Sequence, residues 1–261
     1  MPTPSPSEKR NRPFFIRWGR IIACVSLFGV AVTRSSFAEN VTIEWFGQSC
    51  VLVTTPDNVK ILMDPIPSGL GFEPPHVKAD VVTISHEHND HSSVASAQGK
   101  YSLLRGLYPD ANEWNKVDFS IGDAHLFNVA SYHDNQQGIQ RGLNSIFVIE
   151  LPNFKLAHLG DLGHVLEEAQ IQALRGCDVL LIPAGGAYTL SPADADKVVT
   201  QLQPRSIVIP MHYKTGQAAM KELGTVDAFL RNKNVVRVPG RTYKFDLSSP
   251  PLLRTYVVLT P

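Results

Sequence analysis

The chain has 261 residues, with 24 Lys+Arg against 24 Asp+Glu, 43% hydrophobic residues, 18 Gly, 19 Pro and 3 Cys, which excludes collagen-like, disordered and disulfide-stapled classes. The zero net charge averages two unlike pieces: residues 1–38 hold six basic residues and one acid, leaving 18 basic and 23 acidic residues, a charge of −5, on the remainder. An acidic body without a basic stripe argues against a nucleic-acid partner, whose binding rests largely on phosphate neutralisation.

In the first segment, basic residues up to Arg20 precede an apolar run from Ile21 to Val32, and Ser36-Phe37-Ala38 places small residues at the −3 and −1 positions of a cleavage site. Twelve apolar residues are short for a bilayer span, which needs about 20. Residues 1–38 therefore read as a secretion signal cleaved after Ala38, with retention as a membrane anchor as the alternative. Ile22-Ala23-Cys24 resembles a lipidation box, but Arg17 and Arg20 occupy its apolar stretch. The working domain is then 39–261, exported to the periplasm or secreted, with no stable membrane partner once the signal is gone.

From Val41 the pattern turns to β structure. Strands are expected over Val41–Phe46, Cys50–Thr54 and Val59–Met63, broken by Gly47-Gln48 and by the turn Pro56-Asp57-Asn58. A Pro- and Gly-rich loop, Pro65–Pro75, precedes Asp80–Ile84, which is apolar on both faces as a buried central strand should be. A hairpin about Gly122-Asp123 follows, then strands at Asn144–Glu150 and Phe154–Leu159, and a helix over Val165–Arg175 that stops at Gly176. Val179–Ile182 is another buried strand. Ser191-Pro192-Ala193-Asp194 opens a helix with a capping hydroxyl. Ser206–Ile209 is a strand, Val226–Arg231 ends a helix, and Val235–Phe245 and Thr255–Leu259 are β. Strands in a run, then alternating with helices, describe an α/β (α+β) domain of two mixed sheets packed face to face with helices outside. Cys50 and Cys177 lie in separate apolar runs and are expected as two buried thiols.

Ser85-His86-Glu87-His88-Asn89-Asp90-His91 carries the chemistry. Three imidazoles and a carboxylate directly after a buried strand would each need a partner, and imidazolium ions would repel one another at mildly acid pH. A divalent ion removes these objections together. His86 and His88 point the same way from an extended segment, whereas Asp90 and His91 lie past a bend, which favours two adjacent metals over one tetrahedral site. Further ligands are then required from other strand ends. His133, Asp161 and His212 each stand just beyond a β segment.

The His-x-His-x-Asp-His stretch, with Asp64, His133, Gly160-Asp161 and His212 in that order, resembles the metallo-β-lactamase-fold superfamily. Trp45-Phe46-Gly47, Ser131–Asp134, Arg141–Asn144, Ala184–Tyr188 and Ile209–Tyr213 are similar to the branch containing ascorbate-phosphate lactonase and related bacterial hydrolases. The resemblance implies a four-layer αββα sandwich. It also implies that His86, His88 and His133 hold one metal, that Asp90, His91 and His212 hold a second, and that Asp161 bridges both. Asp64 would orient a ligand imidazole by accepting its other N–H. A hydroxide between two divalent ions would be the nucleophile, with Asp90 or Asp161 shuttling the proton. Zinc is the default ion, although manganese and iron bind similar sets. Two features depart from or narrow the pattern: Gln48 stands where many relatives have His, and His88 stands where redox-active di-iron relatives carry an acid.

Lys214, His76 and His164 are candidate contacts for a substrate, Lys214 because a cation at the edge suits an anion. His158 reads as a core residue, His125 as exposed, Arg141 as structurally paired and Tyr188 as loop packing beside the cleft. The leading expectation is a dinuclear metal hydrolase acting on a small ester, lactone or phosphate ester, because 41 residues between His91 and His133 and 49 after His212 leave no room for large accessory domains. The Pro65–Pro75 loop would roof the metals. A metal-bearing binding or sensor protein is the alternative, and a di-iron oxygen-handling protein a third reading. The sequence does not specify an oligomeric state.

Overall fold

A computed structural model describes residues 1–2, 40–110, 112–216 and 218–261, so the expected signal segment lies outside the described residues. β1 (Asn40–Trp45), β2 (Val51–Thr54) and β3 (Lys60–Met63) form an antiparallel meander. The short β4 (Val77–Lys78) leads to β5 (Val81–Ile84), which runs parallel to β3. β6 (Ala97–Gln98) pairs with β4, and β7 (Ser102–Arg105) lies parallel to β5.

The second half opens with a meander of β8 (Asp118–Ile121), β9 (Ala124–Tyr132), β10 (Leu143–Leu151) and β11 (Phe154–His158). Helical crossovers follow through α1 (Glu168–Leu174), β12 (Val179–Pro183), α2 (Pro192–Leu202), β13 (Ile207–Met211), α3 (Asp227–Leu230) and β14 (Val235–Arg237). β15 (Thr242–Asp246) returns to pair with β1, and β16 (Thr255–Val258) inserts between β13 and β14. The result is a six-stranded sheet, β15-β1-β2-β3-β5-β7, and an eight-stranded sheet, β14-β16-β13-β12-β11-β10-β9-β8.

Alternation along the six-stranded sheet sorts side chains between two cores, as period-2 strands must. Val41, Ile43, Trp45, Val51, Val53, Ile61, Met63 and Val81 join the large core shared with the second sheet. Cys50, Leu52, Leu62 and Val82 face the opposite way, into a smaller cluster closed by Ile66 and Phe72. β12 and β13 are buried along their whole length, as expected of parallel strands covered on both faces. Helices are few. The outer cluster is covered by the loop after β3 and the 3-10 turn Val94–Ser96 rather than by an α-helix.

Several boundaries differ from the sequence expectation for identifiable reasons. α1 begins at Glu168, not Val165, because the Gln201 side chain accepts from Leu166 N at 3.1 Å and donates to Leu166 O at 2.9 Å, holding that residue out of the helix. The expected run Val235–Phe245 splits at Pro239-Gly240 into β14 and β15, which belong to different sheets. α2 starts as read, with Ser191 Oγ accepting from Asp194 N at 3.1 Å. Cys50 and Cys177 are free, buried thiols, and burial pushes Cys177 up to about 12.

Phe147, fully buried in the large core, should cost about 3–5 kcal/mol when replaced by Ala, measured by urea unfolding. Leu252→Ala, at a residue 96% exposed, should stay within about 0.5 kcal/mol of the parent.

Candidate metal centre

Strand direction brings the candidates together. β9 and β11 are both antiparallel to β10, so they run the same way, and β11, β12 and β13 are mutually parallel. His133 directly follows β9, Asp161 stands three residues past β11, and His212 directly follows β13. On the facing sheet, Asp64 ends β3 and Ser85–His91 leave β5, which is parallel to it.

These ends meet at one carboxylate oxygen. Asp161 Oδ2 lies 3.2 Å from Nε2 of each of His91, His133 and His212. Asp90 Oδ2 is 3.6 Å from His91 Nε2 and 3.9 Å from His212 Nε2. His86 Nε2 faces His88 Nδ1 at 3.0 Å. Three groups of potential ligand atoms thus gather within 4.8 Å: His86, His88 and His133; His86, His91 and Asp161; Asp90, His91 and His212. His86, His91, His133, Asp161 and His212 are buried, while Asp90 and His88 face outward.

A hydrogen-bond chain sets which ring nitrogens are free. Asp64 accepts from Ser85 N at 2.8 Å, from Ser85 Oγ at 2.6 Å and from His91 Nδ1 at 2.9 Å. Ser85 Oγ, having given its proton to Asp64, accepts from His86 Nδ1 at 2.9 Å. Both rings therefore carry the proton on Nδ1 and turn an Nε2 lone pair inward. A buried cluster of imidazole nitrogens and carboxylate oxygens, with His91 Nε2, His133 Nδ1 and His212 Nδ1 lacking a well-directed hydrogen bond, fits a divalent cation. Without an ion, the acids and imidazoles of the cluster share charge among themselves. Burial alone would push the Asp161 carboxyl up, but His212 and His91 outweigh it and hold it well below the usual carboxylate range. Burial opposes charge on His91 and His212 as well. Asp161 beside them wins, raising His91 well above its ordinary value and His212 to about 9.

The supporting backbone is tight. Asp161 N donates to Asn144 Oδ1 at 3.0 Å, and Ser49 Oγ donates to Asp161 Oδ1 at 3.2 Å. His158 accepts from Gly160 N at 3.2 Å and donates from Nε2 to Ser49 O at 2.8 Å, the satisfied core role expected of it. His212 N donates to Gln48 O at 3.0 Å. Gln48, Asp64 and His212 all adopt positive φ, between 45° and 49°, so backbone strain concentrates at the centre. A Cβ on Gly185 would sit 2.3 Å from His212 O, which explains a glycine there.

The cavity over this cluster has a volume of about 320 Å³, and beyond the candidate ligands its walls are Gln140, Arg141, Tyr188 and Met220. The expected roof is a correction: Pro65–Pro75 does not line it, because Ile66, Leu70 and Phe72 pack on the outer core. Three candidate substrate contacts also fall elsewhere. Lys214 is exposed, and its Nζ donates to Lys221 O. His76 is exposed on the far loop. His164 has both ring nitrogens engaged by backbone, accepting from Tyr132 N and bonding Val165 O, and borders a separate hollow. Ser49, Ser85, Asn144, Gln140 and Met220 escaped the sequence reading. Only Ser85 and Asn144 carried a signal, as neighbours of the His-rich stretch and of the Arg141–Asn144 motif.

Replacing Asp64 with Ala should weaken divalent-metal affinity by about 10–100-fold in chelator competition, and Ser85→Ala by less, since only the His86 tether is lost. Unchanged affinity in Asp64→Ala would remove the orienting role of that carboxylate.

Comparison with known proteins agrees with this geometry. The family described as the beta-lactamase superfamily domain matches residues 42–212. The UPF0173 metal-dependent hydrolase of Thermococcus kodakarensis is 28% identical over 194 residues, covering 67% of this chain and 85% of the relative. That of Archaeoglobus fulgidus is 26% identical over 231 residues, covering 78% and 99%. A solved metallo-beta-lactamase superfamily structure from Thermotoga maritima, which carries the name of a Zn-dependent hydrolase, superimposes with a TM-score of 0.66 at 32% identity, over 84% of this chain and 98% of that one. The chain is thus a metal-dependent hydrolase and belongs to the metallo-β-lactamase superfamily.

Proposed function

We propose that the protein is a dinuclear hydrolase of a small ester, lactone or phosphate ester. The observation that supports this best is the single Asp161 oxygen 3.2 Å from three imidazole nitrogens. An oxygen so placed can be shared between two ions, one held by His86, His88 and His133, the other by Asp90, His91 and His212. Bound there, a divalent cation would lower the pKa of water to about 7 and polarise a carbonyl or phosphoryl oxygen. Imidazole and carboxylate donors suit zinc, with manganese or iron as alternatives.

The chain's own groups do the rest. Asp64 and Ser85 keep the lone pairs of His91 and His86 directed inward. Asp161 is tied at its other oxygen by Ser49 and at its backbone by Asn144, so it positions. Asp90, a candidate ligand that also borders the cavity, would be the carboxylate that takes a proton and passes it to the leaving group. A volume of about 320 Å³ suits a small substrate. We also infer export of the domain, on the basic, apolar and small-residue order of residues 1–38.

Purified protein should hold close to two ions per chain by elemental analysis. It should release acid from lactones or aryl esters, or nitrophenol from aryl phosphodiesters, and His88→Ala should lose at least about 100-fold in rate. Metal-replete protein inert on all three panels, or fewer than one ion per chain, would favour the binding or sensor alternative.

A further inference from the structure

Arg141 borders two hollows at once. One is the cavity over the metal cluster. The other, of about 400 Å³, has Glu87, Leu107, Tyr108, Asp110 and Asn112 among its walls, so its acids lie on the side away from the metal cluster's cavity, and His88 is the other residue common to both. Arg105, Arg205 and Arg237 are neutralised by Glu87, Asp178 and Asp227. Among the described residues Arg141 has no such partner. Its Nη2 donates to Ala187 O at 3.2 Å, and its Cζ lies 5.3 Å from the centroid of the Tyr188 ring. These contacts aim the group without neutralising it, and leave Nε and Nη1 without a protein acceptor. The expectation of a structurally paired Arg141 thus meets a backbone carbonyl and a ring, not an acid.

The cation is also set in place in advance. The buried Asp134 carboxylate accepts from four loop amides: Gln136 N at 2.7 Å, Gly138 N at 2.9 Å, Gln140 N at 2.8 Å and Arg141 N at 2.7 Å. A loop ordered this way holds its side chains near the cavity before anything binds, which lowers the ordering cost at binding. A half-buried guanidinium with free donors in a fork recognises phosphate and carboxylate through paired charge-assisted bonds.

We propose that Arg141 is a specificity-determining residue that receives a phosphate or carboxylate on the substrate, remote from the bond to be cut, at the junction of the two hollows. This rests on the hydrolase reading for the presence of a substrate in the cavity, but the anion site itself does not.

The test uses metal-loaded protein and has two arms. In the first, kcat/KM is compared for paired aryl esters, one uncharged and one bearing a remote carboxylate or phosphate. Arg141→Gln should lower the value for the charged member about 10–100-fold more than for the uncharged one, chiefly through KM, and Arg141→Lys should recover part of the difference. In the second, inorganic phosphate and benzoate are titrated calorimetrically, and Arg141→Gln, or Arg141→Met should Gln disturb the loop, should weaken binding at least tenfold. A loss confined to one titrant identifies whether phosphate or carboxylate is the natural group. Equal loss on both esters, as for a strut that only braces Ala187, or unchanged anion binding in both variants, would overturn the proposal. Anion binding lost in the variants while the parent cleaves no ester, lactone or phosphodiester would leave this site standing and remove the proposed substrate class instead.

Discussion

One carboxylate oxygen organises this protein. Asp161 Oδ2 sits 3.2 Å from three imidazole nitrogens, an approach that has to be held in place because buried lone pairs repel and buried charge is costly. The surrounding structure supplies that restraint. Asn144 and Ser49 fix Asp161, Asp64 fixes His91 directly and His86 through Ser85, and the Gln48 carbonyl fixes the backbone of His212. The positive φ angles of Asp64, Gln48 and His212 are the local cost of that convergence, offset by the packing of the strands behind them.

The fold makes such convergence possible through strand direction. Parallel crossovers put the ends of β11, β12 and β13 on one edge, and the β9–β10–β11 meander returns β9 to the same sense. His86, His133, Asp161 and His212 then stand within three residues of a strand anchored in the core by its apolar residues, while His88, Asp90 and His91 are carried by the loop after β5. Glycines admit the last ångström of approach. At Gly163 a Cβ would lie 2.4 Å from the carbonyl of His133, and at Gly185 it would meet that of His212.

This division explains what the sequence could show. Strands such as Val41–Trp45 and Val179–Pro183 declare themselves because alternation or unbroken hydrophobicity is a one-dimensional property, and the ligands declare themselves because they end those strands. The start of α1 was not legible, since it depends on Gln201, 35 residues away from Leu166 in the chain. Nor was the fate of the Pro65–Pro75 loop. Its Phe72 and Ile66 read equally well as a lid or as the cover of an outer core, and the free apolar face of Leu52, Leu62 and Val82 decides for the cover.

The walls of the cavity were the least legible part, for the same reason that they set specificity. Gln140 and Arg141 owe their position to Asp134, whose four amide contacts form only once the loop has closed on it, while Tyr188 owes its position to a different turn beyond β12. Neither residue type signals a site when read along the chain. The metal ligands, by contrast, form a polar cluster that has no other reason to be buried. A floor built on strand ends and walls built on two independent loops can therefore vary separately, so substitution at Arg141 or Tyr188 can alter what is held without disturbing the oxygen of Asp161. In this chain the wall carries an unneutralised guanidinium beside a cluster that itself attracts cations. With divalent cations held there, fixed positive charge beside them would be unfavourable in the absence of an anion, and would become favourable when the occupant brings one.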